Sequence, residues 1–183
     1  MEFRVETARL VLDRLREGDE DRVFLWATDP IATRYMAFQR HETMESVRAF
    51  VRSASAPAPR PAALLDFVIA IRQKSGGLLI GTTGIHQQSA SSVDTGYILD
   101  PACWRQGYGS EAVAGLIDWI FANMSSVEMV SARVFRDNVA SQGLARKIGM
   151  RPLREEVVDT PRGDKNVHQI VFSILRTEWE ARA

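Results

Sequence analysis

The stretch "QGYGSEA", Gln106 to Ala112, sets two glycines one residue apart at the mouth of an amphipathic run. A helix N-terminus has unpaired N–H groups and a partial positive charge, so it attracts anions. Glycines there keep Cβ atoms out of the way. The N–H groups of Gln106, Gly107, Tyr108, Gly109 and Ser110 then make a phosphate cradle, to which Ser110 adds a hydroxyl. Two other readings fit the same letters. "GYGSEA" satisfies the G-x-G-x-x-A form of a dinucleotide-binding turn, although there the strand runs straight into the first glycine and here "DPACWRQ" intervenes. A loop glycine pair before an ordinary core helix is the third.

Other chemistry-bearing residues are sparse. Asn138 stands where an N-cap belongs, before a helix opening at Val139, and Ser141 follows one turn later. Arg146 and Lys147 close that helix. The three histidines, His41, His86 and His168, have no metal-ligand spacing with one another or with Cys103, so no metal is expected. Cys103 has no neighbouring base to activate it, and a single cysteine excludes an intrachain disulfide. Lys plus Arg and Asp plus Glu both number 23. Zero net charge, with basic residues scattered, argues against nucleic acid or an anionic membrane as partner. The charged N-terminus does not read as a signal peptide and no apolar run reaches membrane-span length, so a cytoplasmic protein is expected.

The elements that must carry these residues follow from periodicity. The 183 residues, 45% hydrophobic and 25% charged, suit a single domain, 1–183. "RLVLDRL" alternates as a strand, and helices are expected over Glu17 to Asp29 and after Thr43 as N-cap. "SASAPAPRPAA", Ser53 to Ala63, reads as a surface loop. "LLDFVIAIRQ" and "LLIGTTGIHQ" flank the turn "KSGG" as a hairpin, and "VDTGYIL" is a fourth strand. The glycine helix runs from Tyr108 to Asn123, with Ala112, Val113, Leu116, Ile117, Ile120 and Phe121 facing a core. "EMVSARVF", the helix "NVASQGLARKIG" closed by Gly149 as a C′ residue, and a final hairpin complete the chain. The sum is an α/β (α+β) fold: a mixed, mostly antiparallel seven-stranded sheet with about four helices, not a doubly wound one.

Taken together, "GYILDPACWRQGYGSEAV" and "ARVFRDNVASQGLARKIGMRPLREE" resemble the GNAT superfamily of acyl-CoA-dependent N-acetyltransferases. "ETARLVLDRLREGDEDRVFLW", "IGTTGIH" and "LRTEW" are similar to its ribosomal-protein alanine acetyltransferase (RimJ/RimL) branch. The resemblance spans nearly the whole chain. It implies a sheet splayed between the fourth and fifth strands, with acetyl-CoA as cosubstrate inserted there. Pyrophosphate would sit on Gln106, Gly107, Tyr108, Gly109 and Ser110, and pantetheine on the backbones of Ile98 and Leu99. The Leu99 N–H would polarise the thioester carbonyl, Asn138 would contact the cofactor, and Arg146 or Lys147 would reach the 3′-phosphate. Ser141 would donate to the leaving thiolate. His86 and Asp94 would stand on the substrate side as candidate bases, with Tyr97 facing the same groove. The chain departs from the family at Trp104, where many members have Arg or Gln, and at Ala145, where many have a tyrosine that acts as acid for the thiolate.

The implied activity is acetyl transfer to a primary amine by direct attack in a ternary complex. An α-amine with pKa near 8 is roughly 10% neutral at pH 7 and a lysine amine below about 0.1%, so a protein N-terminus is favoured where no strong base is evident. A small-molecule amine (antibiotic or polyamine), a non-catalytic acyl-CoA-binding module and a nicotinamide-dinucleotide oxidoreductase are the alternatives. The resemblance leaves room for a homodimer. Acceptor choice is expected to reside in Ala32 to Arg60 and the turn "DTPRGDKN".

Overall fold

A computed structural model describes residues 3–56 and 66–182. The N-terminal segment supplies β1 (Val5–Glu6), β2 (Leu10–Arg14), α1 (Glu20–Ala27) and α2 (Met44–Ser55). The middle supplies β3 (Asp66–Gln73), β4 (Leu79–Ser89), β5 (Ser92–Leu99) and α3 (Tyr108–Asn123). The rest is β6 (Met129–Phe135), α4 (Val139–Lys147), β7 (Arg151–Val158), β8 (Val167–Leu175) and α5 (Arg176–Glu180). The strands form one sheet in the order β1-β2-β3-β4-β5-β6-β8-β7. Every neighbouring pair is antiparallel except β5 and β6.

The fold is the mixed, mostly antiparallel one expected, with two corrections among the described residues: eight strands rather than seven, and five helices rather than four. The additions are β1, two residues long, and α5, five residues long. Neither is long enough to display a periodicity. The proline-rich stretch 57–63 and the start expected for β3 at Leu64 lie outside the described residues.

Strand alternation distributes the core to both faces of the sheet. Leu10, Leu12, Ile69, Ile71 and Leu99 face α3, whose Ala112, Val113, Leu116, Ile117 and Ile120 pack down on them. Ala70 and Ile98, one residue out of phase, face α1 and α2 through Val23, Trp26, Val47 and Val51. Thr43 caps α2, its Oγ1 accepting from the Ser46 N–H at 3.2 Å. At the sheet's rim Arg72 is buried between two carboxylates: it donates to Asp13 at 2.8 Å and to Asp19 at 2.9 and 2.7 Å. Arg176 of α5 stacks on Phe121 and donates to the carbonyls of Phe121, Met124 and Val127. It thereby satisfies carbonyls that the end of α3 would otherwise leave open. No helix among the described residues is long and apolar enough to cross a membrane.

The centre of the sheet opens. β5 and β6 pair only over Ser92–Met129, Val93–Val130 and Asp94–Ser131. Beyond Asp94 the strands diverge, and the gap between them faces the N-termini of α3 and α4.

Candidate active site

The gap leads into a cavity of about 530 Å³. Its walls are the end of β5 (Tyr97, Ile98, Leu99), the turn and first residues of α3 (Trp104, Arg105, Gly107–Ser110), one side of α4 (Asn138, Ala140, Ser141, Leu144, Lys147) and residues 31–36 after α1. A smaller space of about 70 Å³ adjoins it at Tyr97, Asn138, Ser141 and Leu144 and reaches Arg133 and Phe135 of β6.

The Asp100 N–H donates to the Ile80 carbonyl at 2.9 Å, so alternate residues of β5 turn their backbone groups towards β4. Ile98, opposite Thr82, is among them. Tyr97 and Leu99 are out of phase and present theirs to the gap. Ile98 therefore lines the cavity with its side chain, and Tyr97 rather than Ile98 offers backbone groups to an inserted ligand. The Leu99 carbonyl is already taken: Trp104 Nε1 donates to it at 3.0 Å. The Leu99 N–H is left facing the gap, fixed in direction by an indole that the sequence alone did not mark for this role.

The α3 N-terminus begins with Gly107 in the left-handed region, φ 82°, a conformation glycine adopts without penalty. The first intrahelical bond is Glu111 N–H to the Gly107 carbonyl, which leaves the N–H groups of Gly107, Tyr108, Gly109 and Ser110 for a partner outside the helix. Gly109 answers to a different need. A Cβ there would lie 3.0 Å from Leu144 Cδ1 and 3.2 Å from Tyr97 Cε2, so this glycine brings α3 against α4 and β5. Lys147 lines the main cavity and also the open groove past Gln106, Gly107 and Ser110. Arg146 instead stacks on Phe172 and bonds Gln142, which leaves Lys147 as the α4 cation beside the cradle.

Asn138 caps α4, Oδ1 accepting from the Ser141 N–H at 3.1 Å, and lines both cavities. The structural and ligand-facing readings of Asn138 thus coincide at one position. Tyr97 and Ser141 line both cavities, and burial raises the Tyr97 pKa. His86 and Asp94 are not brought into either cavity. His86 is half exposed and bonds Asp66 at 2.8 Å. Asp94 is buried and held by the Ser131 hydroxyl and the Arg133 guanidinium. Burial, with Asp100 next to it, pushes the Cys103 thiol above its ordinary pKa, which keeps it a poor nucleophile. Among the described residues no group of three or more His, Cys, Asp or Glu side chains could hold a metal ion.

Glu111 anchors the cradle from behind. Its carboxylate accepts from Thr7 Oγ1, the Arg9 N–H and Arg9 Nε, each at 2.6 Å, while Arg9 also reaches the Gln106 carbonyl and covers the Tyr108 ring. Burial acts to raise its pKa, but the Thr7 and Arg9 donors outweigh it and hold the group below its ordinary value. A depressed carboxylate stabilises the fold above its unfolded pKa, and that stabilisation is lost as pH falls through the lower folded value. Glu111→Gln is therefore expected to cost about 2 kcal/mol at pH 7. The difference in melting temperature from the parent should close as the pH is taken down past the carboxylate range. A gap of constant size from pH 7 to pH 3 would contradict this account.

The family model described as an acetyltransferase (GNAT) domain matches residues 9–151. The uncharacterized N-acetyltransferase YoaA of Bacillus subtilis is 28% identical over 174 residues, covering 91% of this chain and 96% of that one. Among solved structures, a GNAT-family acetyltransferase from Bacillus anthracis superposes with a TM-score of 0.84 at 19% identity, covering 96% of this chain and all of that one. Spermidine N-acetyltransferase from Vibrio cholerae, in complex with CoA and spermine, has a TM-score of 0.75 at 13% identity, covering 93% and 98%.

Proposed function

The chain belongs to the GNAT acetyltransferase family, and on that premise we propose that it transfers the acetyl group of acetyl-CoA to an amine already substantially neutral near pH 7, a peptide or protein N-terminal α-amine. As a GNAT N-acetyltransferase it is an enzyme, and a purely binding role is set aside. One observation carries the choice of acceptor. Among the described residues lining the two cavities there are Arg34, Arg105, Arg133 and Lys147 but no Asp or Glu. The site thus offers no carboxylate to take a proton from a strongly basic ammonium, and none to hold a polycation. That argues against a polyamine such as the spermine bound by the Vibrio cholerae relative. It favours the RimJ/RimL-like kind of acceptor, and a small, weakly basic amine is the second reading.

The chemistry follows from the residues facing the gap. Pyrophosphate is received by the N–H groups at the start of α3 and by Lys147, and pantetheine lies along Tyr97 and Leu99. The amine nitrogen attacks the thioester carbon, and the oxygen gathers charge at the Leu99 N–H, whose direction Trp104 fixes. The C–S bond breaks with its electron pair on sulfur, and Ser141 donates to the resulting thiolate. The ammonium proton leaves through water. The raised Cys103 thiol supports direct attack over a relayed acetyl-cysteine.

Two peptides test the acceptor class, one with a free N-terminus and blocked lysine, the other with the reverse. The gap of about 2.4 pKa units between the two amines is worth roughly 3.3 kcal/mol in neutral population. The α-amine peptide should have the higher kcat/KM at pH 7, with a pH profile that rises and levels near its own amine pKa. Preference for the lysine peptide would overturn this reading.

A further inference from the structure

The smaller space beside the main cavity has two ends of different character. One lies at Gly96 and Arg133, both exposed, beside Tyr35 of the segment after α1. The other is closed by Val113 of α3, Ala145 of α4 and Met150, with 3%, 2% and 2% of their surfaces exposed. Ala132 and Val134 of β6 also line it, so its walls belong to the core that faces α3. The space persists because the side chains of Ala132 and Ala145 stop at Cβ. Ser141, which lines both cavities, stands where the two meet. We propose that the closed end is an acyl pocket, through which the site accepts and transfers uncharged short-chain acyl groups beyond acetyl, namely propionyl and butyryl, from their CoA thioesters. This rests on the placement of the thioester between the Leu99 N–H and Ser141 given above.

A volume of about 70 Å³ holds about two groups the size of a water or a methylene. An acetyl methyl ends at the junction, and each further methylene goes inside. The walls also select the kind of group. Their polar side chains are already engaged: Thr95 donates to the Gly84 carbonyl at 2.9 Å, and Arg133 is held by Asp94 and Glu156. Among the described residues, no buried side-chain polar atom lining this space lacks a partner. A terminal carboxylate, such as a succinyl group carries, would be desolvated there without a counter-ion. Methylenes leave water at no such cost. The two reactants then use opposite ends. The acyl tail points to Val113 and Met150, and the amine reaches the carbonyl carbon from the open side. The transfer itself is unchanged: an N–C bond forms, the C–S bond breaks with its pair on sulfur, and the amine's proton leaves through water.

Calorimetric titration with CoA and its acetyl, propionyl, butyryl, hexanoyl and succinyl thioesters tests the pocket without any acceptor. Burying one methylene is worth about a fourfold change in Kd. Kd should therefore fall about fourfold from acetyl- to propionyl-CoA and about fourfold again to butyryl-CoA. Hexanoyl-CoA should bind no tighter than butyryl-CoA, and succinyl-CoA no tighter than acetyl-CoA. Ala145→Val and Ala132→Val fill the space from opposite walls, and valine suits the strand at 132. Either variant, shown folded by near-ultraviolet circular dichroism, should lose the butyryl gain and keep the parent's affinity for acetyl-CoA. In turnover with one amine, propionyl and acetyl transfer should agree in kcat/KM within about fivefold, since a site that excludes a methylene discriminates by about 10- to 200-fold. A propionyl deficit in that range would overturn the proposal. Equal affinity for the acetyl, propionyl and butyryl thioesters would do the same and leave the cofactor site standing. So would affinity that keeps rising to hexanoyl-CoA, or a gain that both valine variants retain. Failure to bind CoA itself would overturn the cofactor placement and the pocket with it.

Discussion

Ser110→Glu is expected to leave the protein folded and to weaken CoA binding about a hundredfold. Ser110 is the third residue of α3, counted from Tyr108 after the Gly107 cap. Glutamate at that helix position is favourable, because its carboxylate can reach back to the cap and complements the dipole. The same carboxylate would stand where pyrophosphate is received. At about 5 Å and an effective dielectric near 20, the repulsion is about 3 kcal/mol, which corresponds to the stated loss. Calorimetric titration with CoA, beside a circular dichroism melt, measures both halves. Parental affinity in a folded variant would remove the phosphate assignment. Gly109 is the wrong place for this experiment, since any side chain there meets Leu144 and Tyr97 before it meets a ligand.

Arg72→Leu should produce the largest loss of stability, about 3–5 kcal/mol, because it leaves Asp13 and Asp19 without their cation in a buried site. For a chain of this size that is a melting temperature lowered by about 10 °C. A triple variant that also converts Asp13 and Asp19 to Asn should recover part of the loss, since it removes the uncompensated charges. A loss below about 1 kcal/mol for Arg72→Leu alone would show that water reaches this cluster and screens it.

Much of the site could be read from the chain because its signals are local. α3 runs from Tyr108 to Asn123 as its glycine start and apolar period indicate, and Gly149 follows α4 with the positive φ, 82°, of a C′ glycine. What could not be read depends on phase and distance. Whether Ile98 or Tyr97 turns its amides to the gap is a matter of register with β4, set by pairs such as Gly81–Leu99. Arg146 and Lys147 are adjacent letters about 100° apart on a helix, and only the packing of α4 on Phe172 separates them. Trp104 looked like a departure from a pattern, yet it holds the Leu99 carbonyl from five residues away. The turn "DTPRGDKN" is held to the segment after α1, a contact no local signal announces: Arg162 donates to the Thr33 carbonyl, and Gln39 donates to the Arg162 carbonyl. His86 and Asp94 are expected on the substrate side from their places on the third and fourth strands, and a place on a strand says nothing about which partner, Asp66 for one and Ser131 with Arg133 for the other, holds the side chain.

The three-residue pairing of β5 with β6 has a thermodynamic corollary. A sheet with its central ladder cut short has backbone donors and acceptors that another extended molecule can pair with, so a bound pantetheine arm serves as a short surrogate strand. Ligand then joins the β1–β5 and β6–β8 halves as well as occupying a pocket. CoA at 100 times its Kd raises folding stability by about 2.7 kcal/mol through mass action alone. Amide hydrogen exchange at Tyr97 and Leu99 should slow on binding more than at Ile98, whose N–H faces β4 whether or not the ligand is present.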